Sequence, residues 1–231
     1  MLLLVVKMVN LMMVILVVVV MKMPPVLPEE VAEIALFHIR NTKNAIVSFG
    51  QGCEGEPLLA ARTAEMAILL IRRATRRGTI HINTNASRPG ILARLLDAGL
   101  DSVRVSMNSA RQDHYRRYYK PRGYAFRDVI SSIDIAGKRG AFISLNYLTM
   151  PGFTDSSGEL EALKDLLERH RVDMIQWRNL NFDPLEYFRV LKISVRRREI
   201  LGMRYTMASL KRSFPKLLNG YFNPPKQNFR K

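Results

Sequence analysis

The regular alternation of short β-branched segments with longer amphipathic segments constrains the fold of this chain more than any other feature. The segments predicted as strands are 45–49, 79–85, 101–108, 141–150 and 172–181, and those predicted as helices are 29–40, 58–77, 88–98, 124–139 and 156–170. Gly78, Gly99 and Gly140 follow three of these helices shortly before the next strand, where a residue with positive φ ends a helix. Strands and helices that alternate with short links form right-handed βαβ units and a parallel sheet.

The predicted fold class is therefore α/β with mainly parallel strands. A chain of 231 residues with 48% hydrophobic and 24% charged residues has the composition of a folded protein with one sizeable core. An incomplete (β/α) barrel and a doubly wound sheet both fit the five strands after Pro28, and the apolar amino terminus offers a sixth strand. We predict an apolar leader at 1–23, an α/β domain at 24–188 and a basic helical extension at 189–231, with a helix near 203–212.

The leader is almost wholly apolar and is interrupted only by Lys7 and Asn10. A membrane span needs about 20 apolar residues, whereas the uninterrupted part, 11–21, is shorter and rich in valine, which suits a buried parallel strand. Lys7 would cost about 2.5–3.5 kcal/mol near the middle of a span, and the run lacks the flanks of a secretory signal. A buried strand, a membrane anchor through residues 1–21 and a secretory signal stay open as alternatives.

The formal net charge of +16 would attract polyanions, and the basic excess is concentrated in the carboxyl-terminal part, where Arg196, Arg197 and Arg198 are consecutive. No RNA-binding signature or aromatic stacking platform accompanies this charge. A nucleic-acid partner is therefore an alternative to a simple solvated basic tail. We expect a cytoplasmic location, with membrane association as the alternative.

Cys53 is the one cysteine of the sequence, which excludes an internal disulfide framework and a site built from several thiolates of this sequence. The four histidines lie on separate predicted elements, and no HExxH, GxSxG or P-loop motif occurs. We assign no metal ligands and no catalytic residues from the sequence.

Polar residues lie at or just after the carboxyl end of every predicted strand after Pro28. The residues at these strand ends are Gln51, Glu54 and Glu56; Asn83, Thr84 and Asn85; Ser106, Asn108 and Ser109; Asn146, Tyr147 and Thr149; and Gln176, Arg178, Asn179 and Asn181. In parallel α/β folds, ligands bind at the carboxyl ends of the strands. The pattern predicts a shared binding mouth there, with helix capping as the alternative role for Asn85 and Ser109.

Four of these strand ends, taken in order, resemble the radical S-adenosylmethionine enzymes. They are the loop ending Gly55-Glu56-Pro57, the pair Thr84-Asn85, the sequence VSMNS at 105–109 and the sequence NYLTMPGF at 146–153. The resemblance covers most of residues 28–184 and implies a partial (β/α)6 TIM-like barrel that binds S-adenosylmethionine.

The resemblance also implies roles for individual residues. The cofactor-binding set is Gly55, Glu56, Pro57, Thr84, Asn85, Ser106, Asn108, Asn146 and Gln176. The Gly-Glu-Pro triplet corresponds to the motif that holds the methionyl ammonium, for which a carboxylate is an apt acceptor. Ser106 and Asn108 correspond to contacts with the cofactor carboxylate or ribose, Asn146 to a ribose contact and the region of Gln176 to the strand beside adenine.

The sequence departs from the family at the iron–sulfur cluster. Members carry three cysteines after the first strand, which ligate a [4Fe–4S] cluster that cleaves the cofactor. Here Cys53 is alone, one thiolate cannot replace three, and a lone cysteine is more typical of a small packed residue. We therefore expect a domain that binds S-adenosylmethionine with cluster-dependent chemistry impaired, and leave open whether it is an enzyme. The alternatives are a basic nucleic-acid-associated module and a membrane-attached scaffold, both without catalysis.

Overall fold

The computed structural model describes residues 4–7, 26–50, 55–194, 196–220 and 222–229. Its strands are β1 Leu4–Lys7, β2 Ile46–Phe49, β3 Thr79–Thr84, β4 Ser102–Met107, β5 Phe142–Thr149, β6 Met174–Asn179 and β7 Leu218–Asn219. Its helices are α1 Pro28–Asn41, α2 Ala61–Ala74, α3 Pro89–Ala98, α4 Gln112–Tyr119, α5 Phe126–Lys138, α6 Ser157–Arg169, α7 Pro184–Leu191 and α8 Met203–Ser213. The strands form one sheet in the order in which they follow along the chain.

Strands β2 to β7 run parallel to one another, and helices connect them, so the predicted α/β class with mainly parallel strands is confirmed. Strand β1 lies within the predicted leader and pairs antiparallel with β2. The segment 11–21, for which the sequence favours a buried parallel strand, lies outside the described residues. No helix in the described ranges combines the length and the apolar character of a membrane span.

The sheet has one apolar and one polar face, because successive residues of a strand point to opposite sides. Ile82, Val103 and Ile143 pair in register on the apolar face and are fully buried. Ile68 of α2 and Leu92 of α3 belong to the same buried cluster, and burying each such side chain contributes about 1.5–3 kcal/mol. The helices therefore cover this face.

The opposite face, called the inner face below, carries polar side chains at the alternate positions. These are His81 and Asn83 of β3, Ser102, Arg104 and Ser106 of β4, Ser144 and Asn146 of β5, and Gln176 of β6. A polar face on a central parallel sheet needs hydrogen-bond partners, from the chain or from a ligand. This face is where a site is to be sought.

The carboxyl-terminal part of the chain joins the same sheet. After α8, strand β7 pairs with β6, and the tail 222–229 runs back along the amino-terminal edge of the strands. There the amide of Lys226 donates to Thr79 Oγ1 at 2.8 Å, and the ring of Phe229 stacks on Phe142 with centroids 4.6 Å apart. The domain boundaries at 23 and 188 stay predictions.

Several elements differ from the sequence prediction. The predicted helix 58–77 is a 3-10 turn, Pro57–Ala60, followed by α2, which ends at Ala74. Gly99 caps α3 as expected, with φ of 116°. Helices α4 and α7 and strand β7 were not predicted, because they span eight, eight and two residues and are too short for a clear periodicity.

Candidate functional site

The carboxylate of Glu56 joins the end of the β2–α2 loop to the end of β3. Its Oε1 accepts hydrogen bonds from the amide of Leu58 at 3.0 Å and from Thr84 Oγ1 at 2.5 Å. Its Oε2 accepts one from the amide of Asn85 at 2.7 Å. A carboxylate offers about four lone-pair positions, so these three donors leave one acceptor position, at Oε2.

Burial raises the pKa of Glu56 above its ordinary value. The hydrogen bonds from Asn85, Thr84 and Leu58 and the charge of Arg88 act in the opposite direction, and burial is the larger effect. A cation placed at the open position of Oε2 would favour the ionised form. The site therefore suits an ammonium group.

The glycines that flank this loop have different surroundings. Gly50 has φ of 78°, and a Cβ there would lie 2.6 Å from the carbonyl oxygen of Asn83, so the loop must begin with glycine. Asn83 Nδ2 also donates to the carbonyl of Gly50 at 2.7 Å. Gly55 has φ of 85° and open space around an added Cβ, and Pro57 is buried at the start of the 3-10 turn. Residues 51–54, which include Cys53, lie outside the described residues.

Thr84 and Asn85 are engaged in the turn that follows β3. Thr84 Oγ1 accepts a hydrogen bond from the amide of Ala86 at 2.9 Å while it donates to Glu56. Asn85 Oδ1 accepts from the amide of Ser87 at 2.9 Å and closes a turn before α3. The N-cap of α3 is Arg88, so Asn85 does not cap this helix. Both residues thus position Glu56 and the start of α3.

Ser106, Asn146 and Gln176 form one row across three neighbouring strands of the inner face. Ser106 pairs in register with Asn146, and Asn146 pairs with Gln176. In the described structure, Asn146 Oδ1 and Gln176 Oε1 are buried without a hydrogen-bond partner. A buried polar atom without a partner costs about 1–3 kcal/mol, so two such acceptors in one row indicate a place for ligand donors. This row is called the inner row.

The end of β4 contributes to two different surroundings. Ser106 belongs to the inner row, whereas Asn108 lies beneath α7, where its Nδ2 donates to the hydroxyl of Tyr187 at 3.2 Å. Ser109 is fully buried, and its hydroxyl donates to Glu159 Oε2 at 2.6 Å. The structure thus groups Glu56, Thr84 and Asn85, and separately the inner row, while Asn108 is enclosed by α7.

Two inner-face residues were not assigned from the sequence. His81 hydrogen-bonds with Ser102 Oγ at 2.8 Å and with Asn83 Oδ1 at 3.2 Å. Burial, together with the charge of Arg104, lowers the pKa of His81 to about 3, so the ring is neutral at neutral pH. Arg104 stands two residues before Ser106 on the same face. The alternation V-R-V-S-M-N at 103–108 already places Arg104 and Ser106 on one face of the strand, so the sequence could have identified Arg104.

A parallel sheet with helices on one face defines the α/β class of protein, and the unpaired acceptors on the other face mark where a ligand is to be sought. The sequence profile of the Radical SAM superfamily matches residues 20–167. This chain belongs to the Radical SAM superfamily, whose members in general use S-adenosylmethionine and a [4Fe–4S] cluster for radical chemistry. The predicted family is confirmed.

Two solved structures resemble this fold. A domain of pyruvate-formate lyase-activating enzyme from Bacteroides vulgatus has 10% identity and a TM-score of 0.50, over 73% of this chain and 96% of that one. A radical SAM methyltransferase from Sphaerobacter thermophilus has 14% identity and a TM-score of 0.48, over 72% of this chain and 55% of that one. The first supports the partial-barrel fold class and nothing finer, and the second adds no argument. No curated protein matches this sequence.

Proposed function

We propose that this chain binds S-adenosylmethionine at the carboxyl ends of its parallel strands, with Glu56 accepting the methionyl ammonium and the inner row accepting from the adenosyl part. The observation that carries the proposal is the pair of buried, unpartnered acceptors Asn146 Oδ1 and Gln176 Oε1. They lie on β5 and β6 of the parallel sheet, and Glu56, with its open acceptor position, lies at the end of β3 in the same sheet.

The chemistry of the cofactor complements these groups. Ribose hydroxyls and the exocyclic amine of adenine are hydrogen-bond donors, which the two amide oxygens lack. The methionyl ammonium is a cation, and a charge-assisted hydrogen bond to a carboxylate is about twice as strong as a neutral one. Glu56 and the inner row therefore fit the cofactor in donor and acceptor type.

The residues present do not fit the iron–sulfur cluster of the family. Its ligation needs three thiolates, and this sequence contains one cysteine. Within the described ranges, no group of three or more His, Cys, Asp or Glu side chains is arranged to hold a metal ion. We infer that this chain binds the cofactor and that its own residues do not support the reductive cleavage. No reaction step is assigned to it.

Calorimetric titration with S-adenosylmethionine tests the binding site. We expect Asn146→Ala to raise the dissociation constant roughly tenfold, which corresponds to a loss of about 1.4 kcal/mol in binding free energy. Glu56→Gln should raise the constant at least as much, whereas Glu161→Gln, an exposed residue of α6, serves as the matched control and should leave it unchanged. Thermal unfolding of each variant separates loss of binding from loss of folding. Absent saturation in the parent, or equal affinity in folded Asn146→Ala, would refute the site.

Anaerobic reconstitution followed by iron and sulfide analysis tests the inference on the cluster. We expect no stoichiometric iron or sulfide to remain with the purified chain. Retention of about four irons and four sulfides per chain, lost in Cys53→Ala, would contradict it.

A further inference from the structure

Arg104 is a cation on the inner face with an incomplete set of partners. It pairs in register with Asn83 and Ser144, and its position two residues before Ser106 places it about 7 Å from the inner row toward the amino ends of the strands. Its Nη2 donates to Asn223 Oδ1 at 2.6 Å, and Ser144 Oγ donates to the same oxygen at 3.2 Å. Its Nε is buried and has no hydrogen-bond partner in the described structure.

No carboxylate of the described residues neutralises this guanidinium. Burial and, to a smaller extent, the nearby charge of Arg178 together lower the pKa of Arg104 to about 10, and no acidic group acts in the opposite direction. The exposed side chain of Arg178 makes no hydrogen bond or ion pair in the part of the chain that the structure describes. A partly buried cation without a counter-charge is costly, and two cations together add repulsion.

We propose that Arg104, assisted by Arg178, forms an anion site on the inner face, which takes a carboxylate or phosphate group of a second ligand that binds beside the cofactor. The unpaired Nε and the neighbouring Nη2 form the edge of the guanidinium that binds two oxygens of such a group side by side. In the free protein the amide oxygen of Asn223, from the tail, accepts the hydrogen bond from Nη2. A charged oxygen makes a stronger bond there than the neutral amide, so the anion can displace it.

Titration with inorganic phosphate and with succinate, at constant ionic strength, tests this site on the whole chain. We expect saturable binding that Arg104→Gln weakens at least roughly tenfold, the size of one charge-assisted pair. Arg104→Lys keeps the charge but loses the fork, so its affinity should lie between the two. Asn223→Ala should tighten binding. Arg62→Gln, an exposed residue of α2, is the matched control and should change nothing.

The outcomes separate this proposal from cofactor binding. Absence of saturable binding of both anions, or equal affinity in a folded Arg104→Gln protein, would overturn the anion site. If Arg104→Gln weakens binding of S-adenosylmethionine about tenfold but leaves binding of decarboxylated S-adenosylmethionine unchanged, the guanidinium binds the cofactor carboxylate, and the assignment to a second ligand is wrong. Anion binding that persists in a protein with no affinity for S-adenosylmethionine would refute the proposed function alone.

Discussion

Two polar groups at the carboxyl edge of the sheet differ in how completely their hydrogen bonds are satisfied. In the first, the Glu159 cluster, the carboxylate of Glu159 accepts from Ser109 Oγ at 2.6 Å and from His114 Nδ1 at 2.7 Å. The three residues are 2%, 0% and 5% exposed, and none has a buried atom without a partner. The second is the inner row, which has two buried acceptors without a partner.

The difference separates polar groups that stabilise the fold from polar groups that are available to a ligand. The Glu159 cluster ties α6 to the end of β4 and the start of α4 through bonds that the chain makes with itself. The inner row leaves comparable groups unpaired, although unpaired buried groups are costly and are found where a ligand or water completes them. Ser106 and Ser109, three positions apart on one strand end, fall on opposite sides of this distinction.

Replacing Glu159 by alanine has the largest expected effect. If stability did not fall, the Glu159 cluster would not differ from the inner row in its structural role. The substitution removes two hydrogen bonds to a carboxylate and leaves His114 and Ser109 without their acceptor. We expect a loss of about 3 kcal/mol in the free energy of unfolding, measured by urea denaturation. Glu161→Ala, on the exposed side of the same helix, is the control and should change it by less than about 0.5 kcal/mol. Affinity for S-adenosylmethionine should stay unchanged in folded Glu159→Ala, and its selective loss would place the cluster in the binding site.

Acid stability sharpens the comparison, because His81 is an inner-face group whose partners are complete. Its pKa lies at about 3 in the folded chain and at about 6.5 in the unfolded chain. The unfolded state therefore binds a proton first, and stability is lost as the pH falls from 6.5 toward 3. Between pH 6.5 and pH 5 the loss is on the order of 2 kcal/mol.

Urea denaturation at pH 7 and at pH 5 measures this loss. His81→Gln removes the titrating group and should flatten the dependence over the same interval. If the free energy of unfolding of that variant falls as much between pH 7 and pH 5 as that of the parent, other groups cause the loss and His81 is not a buried neutral residue of the inner face.

The sequence predicts β2 to β6 well because each is a short segment with apolar residues at alternate positions and polar residues at or just after its carboxyl end. Strand β4, for example, spans Ser102–Met107 where 101–108 is predicted. Helix α4 is not recognised because its eight residues, QDHYRRYY, have no apolar stripe apart from aromatic rings. Its position depends on tertiary packing, in which Tyr115 is fully buried. Strand β7 has two residues, too few for any pattern.

For the site, too, some features can be predicted from the sequence and others cannot. Alternation along the strands is enough to place Ser106 on the face of the inner row. The contacts of Glu56 with Thr84 and Asn85 depend on how one loop approaches the next strand, and no local pattern encodes that approach. Whether a polar strand end is satisfied by the chain, as at Ser109, or left open depends on a distant residue such as Glu159.

The smallest expected effect is a proton released from Glu56 when the cofactor binds. Burial raises the pKa of this carboxyl in the free protein above its ordinary value of 4.5, so its titration range lies higher than that of an exposed glutamate. The methionyl ammonium favours the carboxylate, so binding lowers the pKa and expels a fraction of one proton, and affinity falls as the pH falls through that range. Calorimetry in two buffers of different ionisation enthalpy counts the proton, and titration near pH 8 should show none from this group. Glu56→Gln cannot release it, whereas Glu161→Gln should release it as the parent does. If Glu56→Gln releases the same fraction, the ammonium does not lie at Glu56, and the inner row alone carries the distinction from the Glu159 cluster.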